Sequence, residues 1–384
     1  MRVMLCHPSS ELYGADRMAL VSATGLAERG HEITVVLPAR GELETAFGSA
    51  GLDIRVVKVP VLRKSSLGGT GIVRTSVEAA RALPGAIRLL MEVRPDVVYV
   101  NTIVQPSWML AARLCRMPLV VHVREIESGL PLLVRRALIA PLKLAQAVVC
   151  NSQSARDFVV GSQPKLNTRA IVAYNGKDWS QYFEAGRKRR GGMPIVALVG
   201  RLSPRKGQDL LVAAVAKLAA GGTEVGCRLI GNVFKGNEWF RDELVEQIRL
   251  AGLQDRVKLV GFSDDVASEL AAADVVAVPS RQEPFGTVAL EAMAAHRVVV
   301  AANIEGLREI VVDGESGVLF EPGDPDDLAR ALGTVIKDST FRAGLESAAF
   351  ERVNRDFSLE RYMDIVEEAL CQAAGRSGFG KETS

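Results

Sequence analysis

The chain has 384 residues, of which 48% are hydrophobic, and a formal net charge of +2. This length exceeds a single ordinary core and favours two domains, and the small net charge does not indicate a nucleic-acid partner. Five cysteines without a C-x-x-C pair argue for a reducing compartment and against a disulfide framework or a zinc site. No apolar run has the length of a membrane span and no signal peptide is recognisable, so we predict a cytoplasmic protein.

Short β-branched runs alternate with helical stretches through the first half of the chain. Because these runs are apolar almost throughout, they are typical of a parallel sheet that is covered on both faces by helices. Residues 1–183 are therefore predicted to form one doubly wound, Rossmann-like domain of α/β class. Its predicted strands are Val3–Cys6, Ile33–Leu37, Ile54–Val59, Val97–Val100, Leu119–Val123 and Ala147–Cys150.

The same pattern starts again after a basic, glycine-rich stretch at 186–192. We predict a linker at 184–194, a second doubly wound domain at 195–356 that faces the first across a cleft, and a C-terminal helix at 357–373. The glycine-rich residues 374–384 are predicted to be a disordered tail. The strands predicted for the second domain are Ile195–Val199, Cys227–Ile230, Val257–Val260, Val275–Val278 and Val298–Ala301.

The stretch Val278–Ala295 carries the most informative pattern, a strand followed by a tight loop and a helix. The loop and first helical turn should offer free backbone N–H groups from Gly286, Thr287 and Val288, which suit an anion. Two carboxylates, Glu283 and Glu291, lie eight residues apart around them. Since a carboxylate repels phosphate, these groups should face hydroxyls. The pattern predicts a ligand that is part phosphate and part sugar.

In each predicted domain, one further loop of interest follows the first strand, where an open α/β sheet binds its ligand. In GRLSPRKG, Arg201 and Lys206 bracket a proline turn and could grip a diphosphate; the alternative is a solvated basic loop. In the first domain, Gly14 could let a substrate approach the backbone, or could be a turn glycine before a helix. Neither a Walker A spacing nor G-x-G-x-x-G is present.

Isolated polar residues allow two interpretations. His122 ends an apolar strand, where it could contact substrate or handle a proton, or be a satisfied structural residue. His7 is a weaker case of the same kind. Asp324-Pro325-Asp326 resembles a metal-binding D-x-D, but a helix N-cap with proline in the first turn is favoured. Without another cluster of metal ligands in the sequence, we predict no metal.

The apolar and basic stretch Gly129–Leu144 contains no acid. It could lie on an anionic membrane surface, at the inner face of the membrane, or form a core helix whose bases reach solvent. Further bases lie earlier in the sequence, at Arg63, Lys64, Arg74, Arg81 and Arg88.

Taken together, the motifs resemble the retaining, nucleotide-sugar-dependent glycosyltransferases of family 4, which have the GT-B fold. The resemblance covers nearly the whole chain and is strongest from Gly200 to Leu332. It rests on GRLSPRKG, EPFGTVALEAMA and GESGVLFEPGDPDDLARAL, supported by LYGADR, NSQSAR and YNGKD in the first half. It implies transfer of a hexose from a UDP- or GDP-sugar, without a metal, to a glycan or lipid-linked acceptor of the cell envelope.

The resemblance also implies roles for individual residues. Glu283 matches the acid that contacts the donor sugar near the reacting centre, and Glu291 the acid that holds the ribose. Arg201 and Lys206 match the diphosphate pair, and His122 a histidine facing the donor sugar. The remaining donor-binding positions implied in this way are Gly14, Gly261, Phe262, Ser263, Phe285, Gly286, Thr287 and Val288.

Two positions depart from the pattern of that family. The usual glycine pair near the first helix reads Tyr13-Gly14, and the pair after the sixth strand reads Glu305-Gly306. Two alternatives stay open from the residues: a GT-B epimerase or hydrolase of nucleotide sugars, and a non-catalytic protein that binds them.

Overall fold

The structure is a computed structural model that describes residues 1–62, 70–127, 129–186, 192–234 and 236–376. It contains two compact units: Met1–Lys177 together with the chain from Leu359 onward, and Asp178–Ser358. Along the chain, the first unit therefore ends at Lys177, before the predicted domain end at 183. Helix α7 (Ser180–Gly186) belongs to the second unit because it packs against two helices of that unit.

Two further predicted segments differ in the structure. Residues 184–186, predicted as linker, are the last residues of α7, and 187–191 lie outside the described residues. The tail predicted from 374 begins with three residues whose backbone N–H groups donate to the end of the preceding helix, so they are ordered by it; these are Ala374, Gly375 and Arg376. Residues 377–384 also lie outside the described part. Arg63 and Lys64 do too, as does the side chain of Arg74.

The first unit contains a seven-stranded parallel sheet in the order β3-β2-β1-β4-β5-β6-β7. It confirms the predicted doubly wound α/β domain. One strand, β7, is short, lies at the edge of the sheet and was not predicted. The strands are β1 (Arg2–Cys6), β2 (Glu32–Leu37), β3 (Asp53–Val56), β4 (Val97–Val100), β5 (Leu119–Val123), β6 (Ala147–Cys150) and β7 (Ala170–Val172).

Helices cover both faces of this sheet, which explains the apolar strands. One face packs against α1 (Gly14–Glu28), α2 (Glu42–Ser49) and α15 (Leu359–Ala373). The other packs against α3 (Thr70–Val93), α4 (Pro106–Leu114), α5 (Leu132–Ile139) and α6 (Gln153–Ser162). Among the described residues, no helix is both long enough and apolar enough to cross a membrane.

The C-terminal helix α15 is held on the first unit by polar contacts as well as by apolar packing. The Tyr362 hydroxyl lies 2.6 Å from the Ser22 hydroxyl of α1. The Glu367 carboxylate accepts hydrogen bonds from His31 and Arg29, each at 2.7 Å. These contacts give His31 a structural role.

The second unit contains a six-stranded parallel sheet in the order β10-β9-β8-β11-β12-β13, which confirms the second predicted doubly wound domain. The edge strand β13 was not predicted. Its strands are β8 (Ile195–Val199), β9 (Gly226–Ile230), β10 (Val257–Gly261), β11 (Val275–Val278), β12 (Val298–Ala302) and β13 (Val318–Phe320). Besides α7, its helices are α8 (Gln208–Ala220), α9 (Glu238–Leu250), α10 (Val266–Ala271), α11 (Thr287–Ala294), α12 (Leu307–Ile310), α13 (Pro325–Lys337) and α14 (Ser339–Asp356).

The strand order reverses once in each sheet, between β1 and β4 in the first unit and between β8 and β11 in the second. At such a point the connections leave in opposite directions, which opens a crevice beyond the carboxyl ends of the two strands. The loops that follow β8 and β11, and those that follow β1 and β4, are therefore the places to look for ligand-binding groups.

Candidate active site

In the second unit, the loops after β8 and β11 touch each other at the reversal of strand order. Gly207 has a left-handed backbone with φ of 74°, and a Cβ there would lie 2.1 Å from the Pro279 carbonyl oxygen. The backbone N–H of Arg281 donates to the Arg205 carbonyl at 2.8 Å. The Arg281 guanidinium also grips both carboxylate oxygens of Asp209, at 2.9 and 2.6 Å. The loops after β8 and β11 are therefore joined by a close backbone approach, a hydrogen bond and an ion pair.

This contact brings two predicted site residues together. Glu283 is buried, and its carboxylate is ion-paired with the ammonium of Lys206. The Ser280 hydroxyl lies 3.4 Å from the same carboxylate oxygen. Burial acts to raise the pKa of Glu283, but the charges of Lys206 and Arg205 outweigh it and hold that pKa below its ordinary value. Glu283 is therefore an anion that lies beside a cation.

Helix α11 begins at this point. Its N-cap, Gly286, has φ of 103°, and a Cβ there would lie 2.5 Å from Leu307, so only glycine fits without displacement. Thr287 and Val288 are the first two residues of the helix and are half-buried. Their N–H groups lie at the positive end of the helix dipole. Glu291, one turn further along, is buried.

Arg201 follows β8 and is held by stacking. Its guanidinium carbon lies 3.2 Å from the centroid of the Phe234 ring, a cation–π contact that the sequence did not suggest. The Leu202 N–H donates to the Asn232 carbonyl at 3.0 Å, which joins this loop to the loop after β9. The Phe234 ring thus orients the Arg201 guanidinium, and the hydrogen bond to Asn232 holds its loop at the carboxyl edge of the sheet.

The donor-binding positions predicted at 261–263 lie further along the same edge. Gly261 ends β10 with φ of 87°, and its carbonyl accepts a hydrogen bond from the Gly231 N–H at 2.7 Å. Phe262 is exposed and Ser263 is half-buried. The carboxyl ends of β10, β9, β8 and β11 therefore present, in spatial order, the aromatic residues, Arg201 and the Lys206–Glu283 pair.

In the first unit, a chain of buried hydrogen bonds fixes the loop before α1. The Asn101 amide donates to Nδ1 of His7 at 2.9 Å, and Nε2 of His7 lies 2.8 Å from Asp16. Asp16 in turn accepts from the Tyr13 N–H at 2.9 Å. Burial lowers the pKa of His7, although the Asp16 carboxylate acts to raise it. Gly14, just after Tyr13, is exposed, with open space where a Cβ would lie.

His122 lies inside the core of the first unit. Its Nδ1 faces the Tyr99 hydroxyl at 2.6 Å and the Arg124 guanidinium at 3.4 Å. Because a guanidinium can only donate, Nδ1 is the acceptor and the ring hydrogen lies on Nε2. Burial and then the charge of Arg124 lower the pKa of His122 well below its ordinary value. Among the described residues Nε2 has no hydrogen-bond partner, so His122 is not a fully satisfied structural residue, and its contact with a donor sugar stays a prediction.

Arg124 was not singled out from the sequence. Its guanidinium is buried and donates to Asn101 at 2.6 Å, to Asn175 at 2.9 Å and to the Tyr362 hydroxyl at 2.9 Å. It therefore links the ends of β4 and β5 with helix α15. The only signal in the sequence was its position two residues after His122, at the end of an apolar strand.

The structure decides between the two interpretations of Asp324-Pro325-Asp326, a metal-binding motif or a helix N-cap. The Asp324 carboxylate accepts from the backbone N–H groups of Asp326 and Asp327, at 2.8 and 3.2 Å, so the favoured N-cap is confirmed. In the part of the chain that the structure describes, no three His, Cys, Asp or Glu side chains are grouped to hold a metal ion.

Two doubly wound parallel-sheet units define the GT-B class of fold. Residues 13–180 match the domain described as Glycosyltransferase Family 4, and residues 183–352 match Glycosyl transferases group 1. Phosphatidyl-myo-inositol mannosyltransferase of Mycolicibacterium smegmatis is 30% identical over 92% of this chain and 89% of that protein. The chain belongs to the glycosyltransferase family that combines these two domains.

Other similar proteins extend this assignment. D-inositol 3-phosphate glycosyltransferase of Stackebrandtia nassauensis is 35% identical over 55% of this chain and 51% of that protein. The chain spans about half the length of the D-inositol 3-phosphate glycosyltransferases that it matches. The crystal structure of Anabaena HepE in complex with UDP-glucose aligns with a TM-score of 0.82 and 27% identity, over 97% of this chain and all of that one.

Proposed function

We propose that the protein transfers a hexose from a UDP- or GDP-sugar to an acceptor, with retention at the anomeric carbon and without a resident metal. The observation that supports this best is the ion pair of Lys206 and Glu283 beside the N-terminus of α11. A nucleotide sugar needs a cation for its diphosphate and an acceptor of hydrogen bonds for its sugar hydroxyls. This edge of the second unit offers both side by side.

The proposed chemistry uses groups that are already oriented. As the bond between the anomeric carbon and the diphosphate oxygen breaks, Arg201, Lys206 and the first N–H groups of α11 oppose the negative charge of the leaving group. Glu283 accepts hydrogen bonds from the sugar, and Glu291 from the ribose. The acceptor oxygen bonds to the anomeric carbon on the face that the diphosphate leaves, and its proton passes to the leaving phosphate.

We assign the donor to the second unit and the acceptor to the first. The similarity to HepE, whose structure contains UDP-glucose, supports a UDP-sugar donor. The similarity to a mannosyltransferase that acts on phosphatidyl-myo-inositol supports a lipid-linked acceptor, as part of the cell envelope. Epimerisation or hydrolysis of the donor, and binding without catalysis, are the two other outcomes that an assay would reveal.

Thermal unfolding with a panel of nucleotides and nucleotide sugars tests the donor assignment. A ligand that binds only the folded protein, at a hundred times its dissociation constant, stabilises by about 2.7 kcal/mol. We expect one nucleoside diphosphate to raise the melting temperature, and Arg201→Ala to remove that rise because the diphosphate loses its fixed guanidinium. Arg249→Ala is the matched control, since Arg249 is an exposed residue of α9 paired with Glu246.

An activity assay with the same nucleotide sugars then tests catalysis. A transferase should release nucleoside diphosphate and form a new glycoside only when an acceptor is present. Turnover of the nucleotide sugar without an acceptor would indicate an epimerase or hydrolase. If neither nucleotides nor nucleotide sugars change the melting temperature, the donor site is wrongly assigned.

We also propose that the first unit contacts an anionic membrane surface through α4 and α5. Leu133 is 77% exposed and Leu114 is 56% exposed, and both helices pack against the same 3₁₀ turn, Ala140–Leu144. No acid occurs at positions 128–156. Leu138 and Ile139 at the end of α5 are buried, so only part of the predicted segment is core. The exposed bases nearby are Arg81, Arg88, Arg113, Arg116 and Arg136.

This proposal predicts sedimentation with vesicles that contain phosphatidylglycerol and little with pure phosphatidylcholine. Exchanging Arg113 and Arg136 for glutamine should weaken binding by roughly thirtyfold, because each base near an anionic surface contributes about 1 kcal/mol. Leu133→Ser should also weaken it, whereas Leu250→Ser, on an equally exposed leucine of the second unit, should not. Binding that ignores all of these changes would contradict the proposed surface.

A further inference from the structure

The turn after β12 contains a residue in an unfavourable backbone conformation. Glu305 has φ of 29°, in the left-handed region that glycine adopts easily and other residues rarely do. Strand β12 is the neighbour of β11 in the sheet, so this turn lies beside the loop that carries Glu283. A strained residue next to a candidate active site suggests a functional constraint.

Two hydrogen bonds connect the turn to Glu283. The Glu305 carboxylate accepts from the backbone N–H of Glu283 at 2.8 Å. The backbone N–H of Gly306 donates to the carbonyl of Glu283 at 3.3 Å. Both backbone polar groups of Glu283 are therefore held by residues 305 and 306, an arrangement that we call the Glu305 clasp.

The clasp is reinforced by contact between backbones. A Cβ on Gly306 would lie 2.4 Å from the Phe285 Cα and 2.5 Å from the Pro284 carbonyl oxygen. The turn and the loop thus pack backbone to backbone, and the glycine is needed for that approach. Movement of one segment would have to displace the other.

Two effects disfavour the charged form of Glu305. Burial raises its pKa above the ordinary value, and the charge of Glu283 acts in the same direction. The Glu283 N–H lowers it, as do the charges of Arg205 and Arg308. A carboxylate close to a second carboxylate, on a strained backbone, is expected only where its hydrogen bond serves a purpose.

We propose that Glu305 is a positioning residue: it fixes the backbone of Glu283 so that the Glu283 carboxylate faces Lys206 and the donor sugar. This inference rests on the proposed function for its catalytic consequence, while the clasp can be tested without it. A misplacement of a catalytic group by about 1 Å costs roughly 10²-fold in rate, which sets the scale of the effect.

Two substitutions separate charge, strain and the hydrogen bond. Glu305→Gln keeps the side-chain oxygen and the backbone conformation, so the clasp should persist, with kcat within about threefold of the original. Glu305→Gly relieves the backbone and removes the acceptor. We expect it to lower kcat by roughly 10- to 100-fold, with little change in the KM of the donor and no loss of melting temperature.

Hydrogen–deuterium exchange of the Glu283 amide gives a readout that does not depend on activity. Exchange should become faster in Glu305→Gly and stay slow in Glu305→Gln, because only the first loses the acceptor. Arg116→Gly, at another residue with positive φ (55°) in the first unit, is the control and should leave this amide unchanged.

Unchanged exchange in Glu305→Gly, or a kcat that falls only in step with the melting temperature, would overturn the proposal. Failure of the proposed function looks different: the unsubstituted protein would form no glycoside, whatever residue occupies position 305. Faster exchange together with a selective fall in kcat supports the positioning role.

Discussion

Replacing Glu283 by glutamine should reduce glycosyl transfer by roughly 10²–10³-fold while nucleoside diphosphate still binds. The Glu283 carboxylate is buried next to Lys206. In the proposed site it accepts hydrogen bonds from the hydroxyls of the donor sugar. The amide keeps the size of the side chain but loses the charge that orients both Lys206 and the hydroxyls. The measurement is glycoside formation under saturating donor, together with the melting temperature with and without nucleoside diphosphate.

Glu291→Gln is the informative comparison, because Glu291 lies on the same helix and is assigned to the ribose. It should weaken binding of free nucleoside diphosphate, which Glu283→Gln should leave nearly intact. Equal loss of nucleotide binding in both variants would contradict the assignment of Glu283 to the donor sugar.

The same ion pair predicts an acid dependence of stability. Because the pKa of Glu283 is held below its ordinary value in the folded protein, the pair contributes fully above the pKa of the unfolded chain. That contribution is lost as the pH falls through the lowered folded-state pKa. The difference in melting temperature between the original protein and Glu283→Gln should therefore shrink on acidification. A constant difference would contradict the charged pair.

Gly207→Ala should lower the free energy of unfolding by about 3 kcal/mol: the left-handed conformation costs about 1 kcal/mol and the overlap a further 1–3 kcal/mol. The new Cβ would lie 2.1 Å from the Pro279 carbonyl oxygen, so the loops after β8 and β11 must separate. Because Arg201 and Lys206 lie on the loop after β8, nucleotide binding should fall as well. Denaturant unfolding and the nucleotide-dependent rise in melting temperature measure the two effects.

Gly222→Ala is a close control for this prediction. Gly222 has φ of 76°, nearly the same as Gly207, but a Cβ there would meet no atom within 4 Å. It should therefore lose only the conformational part, about 1 kcal/mol, and bind nucleotide normally. Similar losses in both variants would show that the contact with Pro279 does not hold the loops together.

The predicted strands include every strand inside the two sheets, and the edge strands β3 and β10 as well. In β4 and β11 every residue is buried, so four apolar residues in a row signalled a strand. Edge strands β7 and β13 contain only three residues each and are partly exposed. Three residues are too few to form a recognisable apolar run in the sequence. The order of the strands follows from packing of distant segments and could not be deduced in detail.

The candidate site shows the same division. Glu283, Arg201 and Lys206 were predicted because each follows an apolar strand, and the carboxyl ends of parallel strands share one edge. That Lys206 pairs with Glu283, and that Glu305 holds the Glu283 backbone, depends on contacts over 77 and 22 positions of the chain. Such contacts leave no periodic signal in the sequence.

His122 illustrates what only the tertiary structure decided. Its alternation with Val120 assigns both to one face of β5, and the sequence by itself determined that much. Whether that face is open depends on α15, which returns from the far end of the chain and places the Tyr362 ring 6.2 Å from the His122 ring. Local residue patterns thus determined the two parallel-sheet domains and the candidate loops after β8 and β11. Packing between distant segments decided which polar groups are buried or paired.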